Sequence, residues 1–237
     1  MVKLAICVKR KAGMSAPDFH RYWREVHASV VKSVPEFMRH LRKYVQSHTV
    51  SEAVPGFPAE PSQYDGLAEL WFDNLEDVGK AFREPRYMEI IRPDEGKFAD
   101  LAGSTLFVAE EIVMHPGKAT PIKLIGALKP KAGMSVPDFH AYWKGTHGTV
   151  VKSVPEFMRH VRKYVQSHAI AGSIPGFPAG PQMFEGVAEL WFDSVEEVGK
   201  AFNEQRYLEI IRADEKKFLD LAGCSIFVAE EVPIHGN

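Results

Sequence analysis

The chain is written twice. The run Val30 to His40, VVKSVPEFMRH, returns unchanged as Val150 to His160, 120 residues later. The same offset carries Arg42 to His48 onto Arg162 to His168, and Ala68 to Asp73 onto Ala188 to Asp193. Two copies make a tandem duplication rather than a solenoid, which needs three or more units to bury its core. Whatever one half folds into, the other must match, and both are tethered on one polypeptide. The stretch His115 to Pro121 holds two prolines and a glycine and reads as the linker. It divides the chain into repeat 1 (residues 1–118) and repeat 2 (residues 119–237).

Within a repeat the periodicities spell β-α-β-β-α-β. Lys3 to Val8 is a short apolar strand. Ser15 is a good N-cap, and Pro17 suits the first turn of a helix. Phe19, Tyr22, Trp23, Val26, Val30 and Val34 then recur at three- and four-residue steps, which predicts one buried helical stripe ended or bent at Pro35. Arg42 to Val50 alternates as a strand, with Tyr44, Gln46 and His48 on one face and Val45 and Ser47 on the other. The proline-rich stretch Val54 to Pro61 is a loop. Gly66 to Asp73 is a strand, Asn74 caps a second helix through Phe82, and Tyr87 to Leu101 is helical with a break near Pro93. Thr105 to Ile112 closes the unit as a strand.

This order is the split βαβ, or ferredoxin-like, pattern, an α+β unit whose sheet carries helices on one face only. The bare face must be covered. Two four-stranded sheets facing one another close into a barrel of about eight strands, a size that side chains can fill. The duplication thus predicts two ferredoxin-like repeats forming an intrachain pseudo-dimeric α/β barrel with an apolar interior. Tethering raises the effective concentration of the second half. Whether whole chains pair into a further homodimer is left open, since the fusion already satisfies the barrel.

Composition excludes several function classes. Lys+Arg 29 against Asp+Glu 31 gives a formal charge of −2, no basis for gripping nucleic acid or anionic lipid. The apolar run at the N-terminus is too short for a signal peptide or membrane span, so the expected location is cytoplasmic. Cys7 and Cys224 have no counterparts at the repeat offset and make neither a disulfide framework nor good nucleophiles. No phosphate-binding glycine loop and no nucleophile elbow is present.

The segment Lys9-Arg10-Lys11-Ala12-Gly13-Met14-Ser15, followed by Phe19, Tyr22-Trp23 and His27, resembles the EthD family. Repeat 2 gives the same signature as Lys129 to Ser135, Phe139, Tyr142-Trp143 and His147. The resemblance implies a dimeric α/β barrel, a superfamily of polyketide cyclases, muconolactone isomerases, cofactor-free monooxygenases, haem-degrading enzymes and binding modules. EthD-like members include small lyases, dehydratases and decarboxylases, so the fold does not settle the function. This chain departs from the pattern in being fused. It also has His27-Ala28-Ser29 and His147-Gly148-Thr149 where many members carry His-Ala-Pro, which lets the helix run on.

His27 falls in the apolar stripe, four residues after Trp23. Desolvation there lowers an imidazole pKa and favours the neutral base, which suits removing a proton from carbon beside a carbonyl. The bland alternative is a core histidine bonded to backbone. Tyr44 and His48, with Gln46 between them, polarise a carbonyl and move a proton if their face looks at the helices. If that face looks into the barrel they are interface polar groups. His40 lies either at a pocket mouth or at a helix C-terminus. Glu69 is flanked by apolar residues and must be paired, with a histidine or with Arg42 or Lys43.

The candidate catalytic residues are therefore His27, Tyr44 and His48, with His147, Tyr164 and His168 in repeat 2. Candidate substrate contacts are Tyr22, Trp23, His40, Gln46, Phe57 and Trp71, matched by Tyr142, Trp143, His160, Gln166, Phe177 and Trp191. Phe57 and Phe177 sit on the stiff Pro-Gly-Phe-Pro loops and read as lids. No helical His-x-x-x-His pair occurs, so no metal is expected, and the reading calls for no cofactor. It predicts an acid–base enzyme of lyase, dehydratase, cyclase or isomerase type. The partner is a small aromatic or polyketide-like carbonyl compound, with two equivalent pockets per chain. The alternatives are a cofactor-free or haem-dependent monooxygenase and a non-catalytic binder of an apolar metabolite.

Overall fold

A computed structural model of the chain describes residues 1–50, 54, 62–170 and 183–236. Repeat 1 contributes strands β1 (Val2–Val8), β2 (Leu41–Thr49), β3 (Gly66–Phe72) and β4 (Thr105–His115). Repeat 2 contributes β5 (Ile122–Leu128), β6 (Lys163–Ala169), β7 (Gly186–Phe192) and β8 (Ser225–His235). They close in the order β1-β3-β2-β8-β5-β7-β6-β4. Each half keeps its ferredoxin-like sheet, and the last strand of each joins the halves. Thr105 to Ala109 of β4 pairs with β1, whereas Ala109 to His115 pairs with β6. β8 runs likewise from β5 to β2. All these pairings are antiparallel, and closure leaves the sheet no open edge.

Strand alternation sorts residues into two cores. Leu4, Tyr44, Ala68, Leu70 and Phe72 face the helices. Ala5, Cys7, Leu67 and Phe107 face inward with Ile125, Ala127, Val187 and Phe227. The barrel is not apolar throughout, as the sequence suggested. Lys3, Lys123, Glu69 and Glu189 are all fully or almost fully buried. Lys3 Nζ contacts Glu69 at 3.2 Å, Glu111 at 3.0 Å and Glu189; Lys123 Nζ contacts Glu69 at 2.5 Å, Glu189 at 3.1 Å and Glu231 at 3.0 Å. Ser47 and Ser167 donate to Glu69 and Glu189. Glu69 therefore does not pair with Arg42 or Lys43. Arg42 bonds Asp73 at 2.9 Å, and the Lys43 ammonium lies 4.8 Å from the Trp71 ring centre. The sequence could not show this because the partners arrive from β1 and from the other repeat.

The helix bearing His27 begins where Ser15 Oγ accepts from Asp18 N, 3.2 Å away. It runs Ala16–Arg21, widens to a π-helical stretch at Tyr22–His27, and ends as Ala28–Lys32. In the widened turn the Ala28 N–H donates to Trp23 O, five residues back. That extra residue rephases the buried stripe. Trp23, His27, Ala28, Val31 and Val34 are buried, whereas Val26, expected inside on ordinary spacing, is 43% exposed. The segment after the second helix behaves similarly, π-helical at Tyr87–Ile91 and then α-helical at Arg92–Phe98. Pro93 occupies the first α turn, where it needs no hydrogen-bond donor, so no break forms.

Candidate active site

Between the outer sheet face and the helices of repeat 1 lies a hollow of about 110 Å³. An engineered cavity of roughly 150 Å³ holds benzene, so this one has room for about one ring, with longer groups leaving through its rim. The walls are mostly apolar: Ile6, Val8, Val31, Phe37, Leu70 and Phe98 among others. Into this surface project His27, Tyr44, Tyr87, Arg92 and Glu95. Repeat 2 has a hollow of about 80 Å³ with His147, Tyr164, Tyr207, Arg212 and Glu215 in its lining.

His27 is almost fully buried, and its Nδ1 lies 2.9 Å from Asp94 Oδ2. Asp94 also accepts from Tyr22 Oη at 2.7 Å and from Lys97 Nζ at 3.2 Å. Burial works against the charge on Asp94, but these three donors outweigh it and pull the carboxyl down to about 2. An ionised Asp94 holds the proton of His27 on Nδ1, which leaves the Nε2 lone pair for chemistry. The second repeat reproduces the pair, with His147 Nδ1 at 2.9 Å from Asp214 Oδ2. Burial lowers the pKa of His147, and Asp214 only partly restores it. The bland reading, a histidine bonded to backbone, is replaced by a histidine–aspartate dyad.

Glu95 adds a second titratable group to the same wall. Its carboxyl accepts from Tyr87 Oη at 3.0 Å and Arg92 Nη1 at 2.9 Å. Burial raises its pKa more than His27, Arg92 and Tyr87 lower it. Glu215 is raised for the same first cause. Sequence reading missed both Asp94 and Glu95, which look like ordinary acidic residues in a first helical turn. The available signal was the Ile-Ile-Arg-x-Asp-Glu string, present in both halves although Pro93 is replaced by Ala213.

Tyr44, Gln46 and His48 face the helices, the arrangement that favours a pocket. Tyr44 Oη accepts from Trp23 Nε1 at 3.2 Å and Gln46 Nε2 at 3.0 Å. Both lone pairs are engaged, so its proton is the part left to offer. Burial pushes its pKa up to about 12, so the phenol is intact at neutral pH. Gln46 donates from the same nitrogen to Trp23 O and receives His48 Nε2 at its Oε1, 3.0 Å away. His48 is not in the lining. It packs on Trp23 and its Nδ1 meets His20 Nδ1 at 3.0 Å. Burial first, then His20 and Arg24, lower its pKa to about 3, and that of His168 falls to about 4 by burial, His140 and Lys144. His48 and His168 are thus neutral props for Gln46 and Gln166 rather than proton donors in the hollow.

Trp23 lines the first hollow and Trp143 stacks on His168. The indole of Trp23 lies where any Cβ at Gly66 would sit, 2.6 Å away, so a glycine is required at the start of β3. Tyr22 and Tyr142 stand behind the aspartates, each donating to a carboxylate. His40 is held at 2.8 Å by Glu84 and His160 at 2.6 Å by Glu197, away from the hollows. Trp71 and Trp191 project into the barrel and donate to Glu111 and Glu231. Alternation sends β3 residue 71 to the opposite face from Ala68 and Leu70, which line the hollow. Phe57 and Phe177 lie outside the described residues. Among the described residues no three His, Cys, Asp or Glu side chains group to hold a metal, and no helix is long and apolar enough to cross a membrane.

Comparison with known proteins gives the same architecture a lineage. A dehydratase of conidial pigment biosynthesis from Metarhizium robertsii is 31% identical over 126 residues, 50% of this chain and 88% of the relative. Dehydratase aurZ of Gibberella zeae is 28% identical over 130 residues, 51% of this chain and 84% of the relative. Each matches about one repeat. A crystal structure from Fusobacterium nucleatum, provisionally assigned as a monooxygenase, covers 99% of this chain and 92% of its own at 7% identity and a TM-score of 0.51. That likeness bears on the fold alone. The EthD domain model matches residues 11–102 and again 131–222, and the chain belongs to the EthD domain family.

Proposed function

We propose that each repeat is a dehydratase site acting on a small ring-bearing β-hydroxy carbonyl compound. The observation that carries this reading is the meeting of three groups on one mostly apolar hollow, in both repeats. They are the His27–Asp94 dyad, the half-buried carboxyl of Glu95 and the Tyr44 phenol. The names of the relatives, both dehydratases, support the reaction class.

The residues divide the work as follows. The ring enters the apolar hollow and Tyr44 Oη donates to the carbonyl oxygen. His27 Nε2 takes the proton from the carbon beside the carbonyl, and Asp94 stabilises the imidazolium. The electron pair left by that C–H bond forms the new C=C bond as the C–O bond to the β-hydroxyl breaks. Glu95, whose pKa burial raises, is the acid of this step: in its protonated form it gives its proton to the departing hydroxyl, which leaves as water. Transfer of the proton from His27 to the Glu95 carboxylate restores both groups. A haem does not fit, since the hollow around His27 has room for about one ring and its walls are closely packed side chains. No step is routed through one.

The test is dehydration of 4-hydroxy-4-phenylbutan-2-one and related single-ring β-hydroxy ketones, followed by the absorbance of the conjugated product. His27→Ala with His147→Ala should slow turnover ~10²–10⁴-fold while far-UV circular dichroism is unchanged. Undiminished turnover in that double variant removes the assigned base. A ligand bound tightly but always recovered unchanged would favour a binding module instead.

A further inference from the structure

The two hollows share every group that carries the chemistry, and they differ along one wall. Ile6, Val8 and Ala99 of the first are replaced by Gly126, Leu128 and Leu219 in the second. Both trios contain the same number of side-chain carbons, so apolar bulk has been moved rather than lost. In the second hollow it has left the β-strand floor at Gly126 and gathered at Leu128 and Leu219. A Cβ built at Gly126 would lie 3.4 Å from Leu128 Cδ2, so Leu128 already leans over part of the floor vacated there. At the rim, Leu101 and Ser104 line the first hollow beside the small Ala99. Leu101 is 39% exposed, which places this rim at the surface. Leu219 occupies the matching wall of the second hollow, which is the smaller, about 80 Å³ against about 110 Å³. In the same lining Leu106 is exchanged for the isomeric Ile226, and Ser104 of the first rim has Cys224 as its counterpart; the differences at Tyr64 and Arg24 lie away from the hollows. Tyr64 and Phe184 pack on one another inside the barrel, and Arg24 reaches Glu230 on the surface.

We infer that the two sites have diverged in the ligands they admit. The first takes a ring whose carbonyl chain extends out past Ala99 and Ser104, and the second takes only a compact ring compound because Leu219 closes that exit. Residues 99 and 219 are the specificity-determining pair. The inference rests on the reading of the hollows as sites for ring-bearing carbonyl compounds, but its test does not depend on turnover.

Binding of acetophenone and of hexanophenone, which differ only in the length of the acyl chain, is measured by calorimetry and located by protein NMR on the full chain. Acetophenone should fill both hollows. Hexanophenone should fill the first alone, one per chain. Ala99→Leu should weaken hexanophenone about tenfold or more at the first hollow and leave acetophenone there within about threefold. Leu219→Ala should open a second hexanophenone site. This gain cannot come from a misfolded variant and guards against Ala99→Leu failing to fold. Equal occupancy of both hollows by hexanophenone, failure of either probe to bind, or no change in either variant overturns the inference. Asymmetric binding without any dehydration would leave it standing while removing the catalytic reading.

Discussion

Replacing Lys3 with methionine should destabilise the protein strongly while leaving both hollows intact. Lys3 is fully buried and its ammonium touches Glu69, Glu111 and Glu189. Burial alone would depress its pKa, but the surrounding carboxylates hold it above the ordinary lysine range. Methionine fills similar space and leaves Glu69 and Glu189 sharing Lys123 alone. Removing one partner of a buried ion network costs about 3–5 kcal/mol. For a chain of this size that lowers Tm by roughly 6–20 °C. The sign with pH follows from the carboxylates. Glu189 is held below its usual value by the two ammoniums, despite burial acting the other way, so its contribution is present above pH 4.5 and fades as pH falls. Glu69 is pushed up to about 7 by burial and by Glu189, against the pull of Lys123 and Lys3. The deficit of Lys3→Met should therefore be large at pH 8 and shrink toward pH 4. Adding Glu189→Gln to Lys3→Met removes the uncompensated charge and should recover much of the lost Tm. Thermal and urea unfolding across pH 4–8 measure this. A single variant within 2 °C of the parent at pH 8, or a double variant that loses further stability, would refute the reasoning.

The dyad makes its own demands. Asp94→Asn with Asp214→Asn should lower kcat by ~10²–10⁴-fold with little change in KM, because the imidazole loses the partner that fixes its tautomer; retained kcat would show that the aspartates only hold structure. In His27→Ala only the second hollow should turn over. Its base, His147, has its pKa lowered by burial, so kcat/KM should hold as pH drops through 6.5 and fall only below it. A limb at or above 6.5 would contradict the assigned base.

Much of the architecture was legible because alternation and repetition are local signals. The offset of 120 exposed the pseudo-dimer, and period-two alternation placed Tyr44, Gln46 and His48 on one face. What was not legible depends on contacts between distant segments. Glu69 was legible as a candidate buried carboxylate from its apolar neighbours, but its partners Lys3 and Lys123 stand on strands 66 and 54 residues away. Val26 was assigned to the buried stripe because a regular helix has 3.6 residues per turn, and nothing local in Tyr22 to His27 announces the wider turn. Asp94 and Glu95 were passed over because acidic residues in a first turn usually complement the helix dipole in water. Only the packing of their helix against His27 and Tyr22 turns them inward.

One strand shows how the fold keeps its stability apart from the proposed chemistry. Along β3, Ala68 and Leu70 line the first hollow, while Glu69 between them belongs to the charged centre of the barrel. β7 repeats this with Ala188, Leu190 and Glu189. The two functions therefore sit on opposite faces of a closed sheet and should respond to different substitutions. Glu95→Gln with Glu215→Gln keeps the shape and an oxygen that accepts from the neighbouring tyrosine and arginine, and removes the carboxyl able to give or take a proton. It should cut turnover ~10²–10⁴-fold and shift Tm by no more than a few degrees. Lys3→Met should do the reverse below its own melting temperature, losing Tm while retaining kcat. A Lys3→Met protein that is folded yet inactive would mean that the barrel centre governs the hollows, and the separation of the two faces would fail.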